Sequence, residues 1–192
     1  MKNLILSLMA ISVITVQCRK DDDSPEPVVY PEENPLALYH TNAGFTASSN
    51  FINAGDYEFG LVFSPNVKGK INSIVLQLPD VNQSVRVTLW DYDTKTVLKS
   101  EIVSVSTANT VVTKTIASVI LEKDKKYLIS MNSNDWYKRN KPDNGNAVYP
   151  VSAGNIKFWE YRWVSGVNQV FPTNVSLNYN GGDLSFNFQQ TE

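Results

Sequence analysis

The sequence predicts an all-β chain folded as an antiparallel, jelly-roll-like β-sandwich, and three observations carry that expectation. From Leu36 onward, apolar and polar residues alternate with a period of two. Clusters of Gly, Asn, Asp and Pro interrupt the alternation at intervals of roughly 8–12 residues, the spacing of short strands in a sandwich. No apolar stripe of helical period is sustained in this region. A closed barrel is the less favoured arrangement, because the alternation is that of sheets with one wet face. No fixed-period repeat supports a propeller or a solenoid.

The strands follow in order. "YEFGLVF" sets Tyr57, Phe59, Leu61 and Phe63 on one face, and "INSIVLQL" does the same with Ile74, Leu76 and Leu78. "PDVNQ" ends that run with turn residues. "SVRVTLW" points Val85, Val87 and Leu89 inward and leaves Arg86, Thr88 and Trp90 opposite. "DYDTKT" turns the chain into "VLKSEIVSV". "TVVTKTIASVIL" and "KYLISM" are further strands, separated by the charged turn "EKDKK". "NVSLNY" and "DLSFNF" flank Asn180-Gly181-Gly182, a hairpin signal because glycine tolerates positive φ.

Ahead of this body stands Met1–Val16, with Lys2 as a positive start and an apolar run from Leu4 to Val16. That run is shorter than the ~20 residues of a membrane-spanning helix and reads as a secretory signal. The only cysteine, Cys18, follows it, and Arg19-Lys20-Asp21-Asp22-Asp23 follows the cysteine. This arrangement resembles bacterial lipoprotein signals, in which such a cysteine is acylated and becomes the mature N-terminus. The charged tract is similar to that of Bacteroidetes surface lipoproteins, where it marks export to the outer face of the outer membrane. The resemblance implies an outer-membrane protein anchored through acyl chains on Cys18 and facing the cell exterior. Two or more chains anchor firmly where one holds marginally. "SPEPVVYPEENP", with four prolines and three glutamates, reads as a semi-rigid tether. The expected organisation is a signal at 1–17, the lipidated cysteine and its acidic, Pro-rich tether at 18–35, and one β-sandwich domain at 36–192.

"YEFGLVFSPNVKGKINSIVLQL", "VTLWDYDTKTVL" and "LEKDKKYLISMN" together resemble an uncharacterised secreted bacterial domain with a carbohydrate-binding-module-like sandwich. The likeness covers Tyr57 to Asn132. It implies the fold and an extracellular, carbohydrate-associated setting, and it carries no site residues.

Composition excludes several function classes. One cysteine and one histidine in 192 residues cannot build a disulfide framework or a zinc site. A net charge of −2, with no basic stripe, argues against a nucleic-acid partner. Glu58, Glu101 and Glu160 show no spacing that pairs them across a glycosidase cleft, and His40 stands apart from any serine triad. A calcium loop at Asp91 and Asp93 lacks its closing glutamate, so a turn capped by its own Asp side chains is favoured there; "PDNGN" is a second weak cation candidate. No cofactor is expected, and the chain is read as non-catalytic.

The candidate site lies between Asn134 and Trp163, which holds three of the four tryptophans. Trp136 and Tyr137 are expected to be exposed at a strand–loop junction, with Asp135, Arg139, Asp143 and Asn144 as nearby hydrogen bonders. Alternation sets Trp159, Tyr161 and Trp163 on one face, as a strand's core side or as a flat platform on which sugar rings stack. The expected function is a lipid-anchored cell-surface binding module whose leading ligand is a polysaccharide. The alternative is a structural or adhesion subunit that packs its aromatics against a protein partner at the outer membrane.

Overall fold

The computed structural model describes residues 28–192, so the expectations for the signal, Cys18 and the first part of the tether lie outside the described residues. In chain order the elements are β1 (Glu32–Glu33), α1 (Leu36–Ala43), β2 (Ala47–Pro65), β3 (Gly69–Gln77), β4 (Asn82–Asp91), β5 (Val97–Val105) and β6 (Val112–Leu121). There follow β7 (Tyr127–Asn140), β8 (Val151–Ala153), β9 (Ile156–Ser165), β10 (Asn174–Ser176), β11 (Tyr179–Gly181) and β12 (Asp183–Gln190). They form two antiparallel sheets. The smaller runs β1-β12-β3-β6; the larger runs β10-β9-β2-β7-β4-β5, with β11 joined to β7 and β8 to β9.

The sheets meet as the alternation requires. Phe59, Leu61 and Phe63 of β2, Val87 and Leu89 of β4, and Ile129 and Met131 of β7 share one core with Ile74, Leu76, Leu184, Phe186 and Phe188. Phe63 and Phe186 lie 4.6 Å apart between ring centroids, one from each sheet. Val85, Val87 and Leu89 point inward as expected. Trp90 points the other way but is not wet. It forms a second apolar cluster with Val62 and Leu128, covered by Phe171 from the segment after β9.

Four features depart from the sequence expectations, each for a local reason. First, strand pairing begins inside the stretch expected to be tether. Glu32 and Glu33 pair with Gln189 and Phe188, and the Glu33 carboxylate accepts the Asn155 N–H at 3.1 Å. Second, a short helix, α1, occupies "LALYHTNA". It buries only Tyr39 and Ala43, one i,i+4 pair, which is too little for a helical stripe. Asn34 Oδ1 accepts the Leu36 N–H at its start, and Gly44, at φ 77°, closes it in the left-handed conformation. Third, Asn180-Gly181-Gly182 does not join a hairpin. β11 pairs with β7 and β12 with β3, so the chain changes sheets at Gly182, whose φ is 84°. Fourth, the face of Trp159 is reversed. Val62 pairs with Glu160 and Phe63 with Phe158, so Trp159 is an extra residue in a β-bulge.

Candidate functional site

Strand β2 is 19 residues long and changes role along its length. Residues 57–65 lie between β7 and β9, whereas residues 47–52 pair with the end of β7. Between these halves, residues 53–56 stand opposite a single residue of β7, Asn134. Beside it, the Ser133 hydroxyl donates to the Asp135 carbonyl at 2.8 Å and accepts the Asp135 N–H at 3.1 Å. This irregularity changes the parity of β7. Met131 faces the core before it, and after it Trp136, an odd number of residues on, joins the same core.

The consequence is an aromatic cleft. Trp136 packs against Phe59 at 4.8 Å, Phe51 at 4.9 Å and the edge of Tyr57 at 5.9 Å. Tyr57 continues to Trp163 at 5.9 Å, and Tyr161 to Tyr179 at 5.2 Å. These side chains and Lys138 enclose about 190 Å³ on β2, β7, β9 and β11. That is less than the roughly 300–1,000 Å³ of pockets that swallow a whole drug-sized ligand. It suits one portion of a larger ligand lying along the mouth, where Phe51 is 38% exposed.

Most polar atoms of the cleft are uncommitted. Trp163 Nε1 donates to Ser176 Oγ at 3.2 Å. Among the described residues, Trp136 Nε1, Tyr161 Oη and Lys138 Nζ have no hydrogen-bond or ion-pair partner. Trp136 is 7% exposed and Tyr161 2%, so their rings are buried while their unpartnered polar tips line the cleft. The tips converge. A β-carbon added to Gly181 would overlap Tyr161 Oη and lie 3.3 Å from Trp136 Nε1, so the missing side chain keeps that corner open. Burial holds the Tyr161 phenol well above its ordinary pKa, which keeps it a neutral donor and acceptor.

Of the residues singled out from sequence, Trp136, Tyr161 and Trp163 meet in this cleft, whereas Asp135, Tyr137, Arg139, Asp143, Asn144 and Trp159 do not line it. Trp136 is buried rather than exposed, because β7 continues past it to Asn140 and β2 covers it. The Tyr137 hydroxyl donates to Asn109 Oδ1. The Arg139 guanidinium pairs with Asp183, donating from Nε at 2.9 Å. That pair lies in a second, larger depression of about 570 Å³ with His40 and Gln77. There Arg139 is matched by Asp183, and Asn180 Nδ2 and His40 Nε2 are 3.1 Å apart. Asp135 accepts the Asp80 N–H at 3.0 Å, and burial raises its pKa. Asp143 is exposed on its loop and accepts the Gly145 N–H at 2.8 Å, while Asn144 Oδ1 accepts from Asn140. Trp159 lies on the opposite face of the larger sheet, with its Nε1 on Ser64 Oγ at 2.9 Å and the Lys126 ammonium 4.1 Å over its ring.

Phe51, Tyr57, Phe59, Lys138 and Tyr179 complete the cleft. Alternation sets Tyr57 with Phe59 and Tyr161 with Trp163, but it does not say that β2 and β9 are neighbours.

The remaining candidates are accounted for by local structure. The Asp91 carboxylate accepts the N–H groups of Asp93 and Thr94, each at 3.0 Å, and pairs with Lys125 at 2.6 Å, so "DYDTKT" is a self-capped turn. The Lys125 contact, with the Thr94 N–H, lowers the Asp91 pKa to about 2. Glu58 pairs with Arg86, Glu101 with Lys99 and Lys114, and Glu160 with Arg162. Among the described residues, no group of three His, Cys, Asp or Glu side chains is placed to hold a metal ion, and no helix is long and apolar enough to cross a membrane. No protein-family model matches the chain, and no curated protein matches it.

Proposed function

We propose that this protein is a non-catalytic glycan-binding module, held at the outer face of the outer membrane by acyl chains on Cys18. The observation that supports the reading best is the aromatic cleft, with two donors, Trp136 Nε1 and Tyr161 Oη, that have no partner within the protein among the described residues. Sugar rings present apolar C–H faces that lie against aromatic rings, and hydroxyls at their edges that seek isolated hydrogen bonders. Trp136 and Trp163 offer the first kind of contact; Trp136 Nε1 and Tyr161 Oη offer the second. The cleft is concave and carries polar tips, which favours a glycan over the flat, continuously apolar surface a structural or adhesion subunit would present.

The test is intrinsic tryptophan fluorescence of the full chain, titrated with a panel of soluble polysaccharides. A saturable shift that Trp163→Ala removes, with only a small change in melting temperature, is the expected result. If no polysaccharide moves the signal, the module reading fails and the adhesion reading takes its place.

A further inference from the structure

We infer that the glycan bound in this cleft is acidic, with a sugar carboxylate paired to Lys138; the inference rests on the glycan reading above. Among the described residues, Lys138 is the only charged residue lining the cleft, and no carboxylate lines it. It stands two positions beyond Trp136 on β7, and so on the same side of that strand. Its register partners are Ser49 of β2 and Gly181 of β11, neither of which offers it an acidic side chain.

The ammonium is directed by the cleft itself, lying 4.7 Å from the centre of the Tyr179 ring. A cation over a phenol face at a half-buried rim is held weakly compared with one that meets a carboxylate. Lys126 lies over Trp159 in the same way on the opposite face of the larger sheet, but most cations near that sheet are paired. Arg86, Lys99, Lys114, Lys125, Arg139 and Arg162 all have an acidic partner. Lys138 has none among the described residues. A cationic ligand is disfavoured by the same arrangement, because the aromatic walls that would attract it already carry a positive charge. A ligand that lays a ring on the indoles, sets hydroxyls against Trp136 Nε1 and Tyr161 Oη, and brings a carboxylate to Lys138 satisfies these three groups together. A uronic acid residue within a polysaccharide has those three features.

The experiment compares matched ligands on the full chain. Oligosaccharides of alginate, galacturonan and hyaluronan are titrated by calorimetry, each beside its carboxyl-reduced form, together with neutral cello-, xylo- and manno-oligosaccharides. At least one acidic ligand is expected to bind about tenfold more tightly than its reduced form, the effect of one charge-assisted contact. Added salt should shrink that ratio, Lys138→Met should abolish it, and Lys138→Arg should retain most of it. The wild-type ratio and its salt dependence decide the matter even if Lys138→Met does not fold. Equal binding of acidic and reduced forms, or binding of neutral oligosaccharides alone, overturns the acidic assignment and leaves the glycan reading standing. Silence across all ligands removes both.

Discussion

The Glu58 carboxylate, fully buried beneath the outer face of the larger sheet, lies 2.8 Å from the Arg86 guanidinium. Its other oxygen accepts from Ser130 Oγ at 2.6 Å, and Ser130 in turn accepts from Trp90 Nε1 at 2.8 Å. The segment after β9 closes over this chain, with the Val167 carbonyl accepting from Arg86 at 3.0 Å.

Burial raises the Glu58 pKa, against the lowering effect of Ser130 and Arg86. A raised carboxylate favours folding in its protonated form, so its contribution is complete below the ordinary carboxylate range and is lost as pH climbs through the folded value. Arg86→Met strips the charge of its partner and should cost about 2–3 kcal/mol at neutral pH, less than the roughly 3–5 kcal/mol of a wholly buried pair because Arg86 is part-exposed. The cost should shrink at pH 4, where Glu58 takes up a proton. Urea denaturation at both pH values checks this, and a cost that does not change with pH would exclude an ionised Glu58 as its source.

His40 acts with the opposite sign. Burial is the main cause that lowers its pKa to about 4; Arg139 adds to the effect and Asp183 opposes it. A depressed histidine contributes stability that is complete above its unfolded pKa near 6.5 and is lost as pH falls toward 4. The loss should reach at most about 3 kcal/mol over that window. His40→Gln should flatten the acid limb of the stability profile between pH 6.5 and 4, and NMR titration of the single imidazole supplies the midpoint directly.

The facing of residues was legible where pleat alone decides it, as at Phe59, Leu61, Val87 and Leu89. It was illegible where pairing decides it. "NGG" at Asn180–Gly182 signals a turn, yet whether that turn closes a hairpin or crosses between sheets depends on β11 finding β7. Period two likewise set Trp90 on the outer face without revealing that Phe171 covers it. The cleft was half visible. Trp136 and Trp163 stood out as tryptophans, but Tyr57 and Lys138 become neighbours of theirs only through the β9-β2-β7 order.

Gly60 tests that strand order through sterics. It lies in β2 opposite Ser130 and Arg162, and a β-carbon there would overlap the Ile129 carbonyl oxygen. Backbone on a central strand cannot give way as a flexible side chain can, so Gly60→Ala should cost about 3 kcal/mol or more. Gly55→Ala, whose new carbon meets nothing within 4 Å, serves as the control and should change stability by about 0.5 kcal/mol or less. Thermal melts of the two variants make the comparison.

The two tryptophans of "WEYRW" should separate completely in experiment, although they are four residues apart on one strand. The bulge turns Trp159 to the outer face, where its ring supports Lys126 and its Nε1 holds Ser64, far from the polar tips at Gly181. Trp163 stays on the inner face and forms one wall of the cleft beside Tyr57. Trp159→Ala should therefore lower stability by about 1–3 kcal/mol while leaving the proposed glycan binding unchanged, since it removes packed area and one hydrogen bond. Trp163→Ala should weaken the proposed glycan binding at least about tenfold, the scale of losing an aromatic anchor, with a smaller change in melting temperature. Calorimetric titration and thermal melts on both variants read the two effects apart. Equal losses of affinity would place both rings on one surface and remove the bulge as the device that divides them.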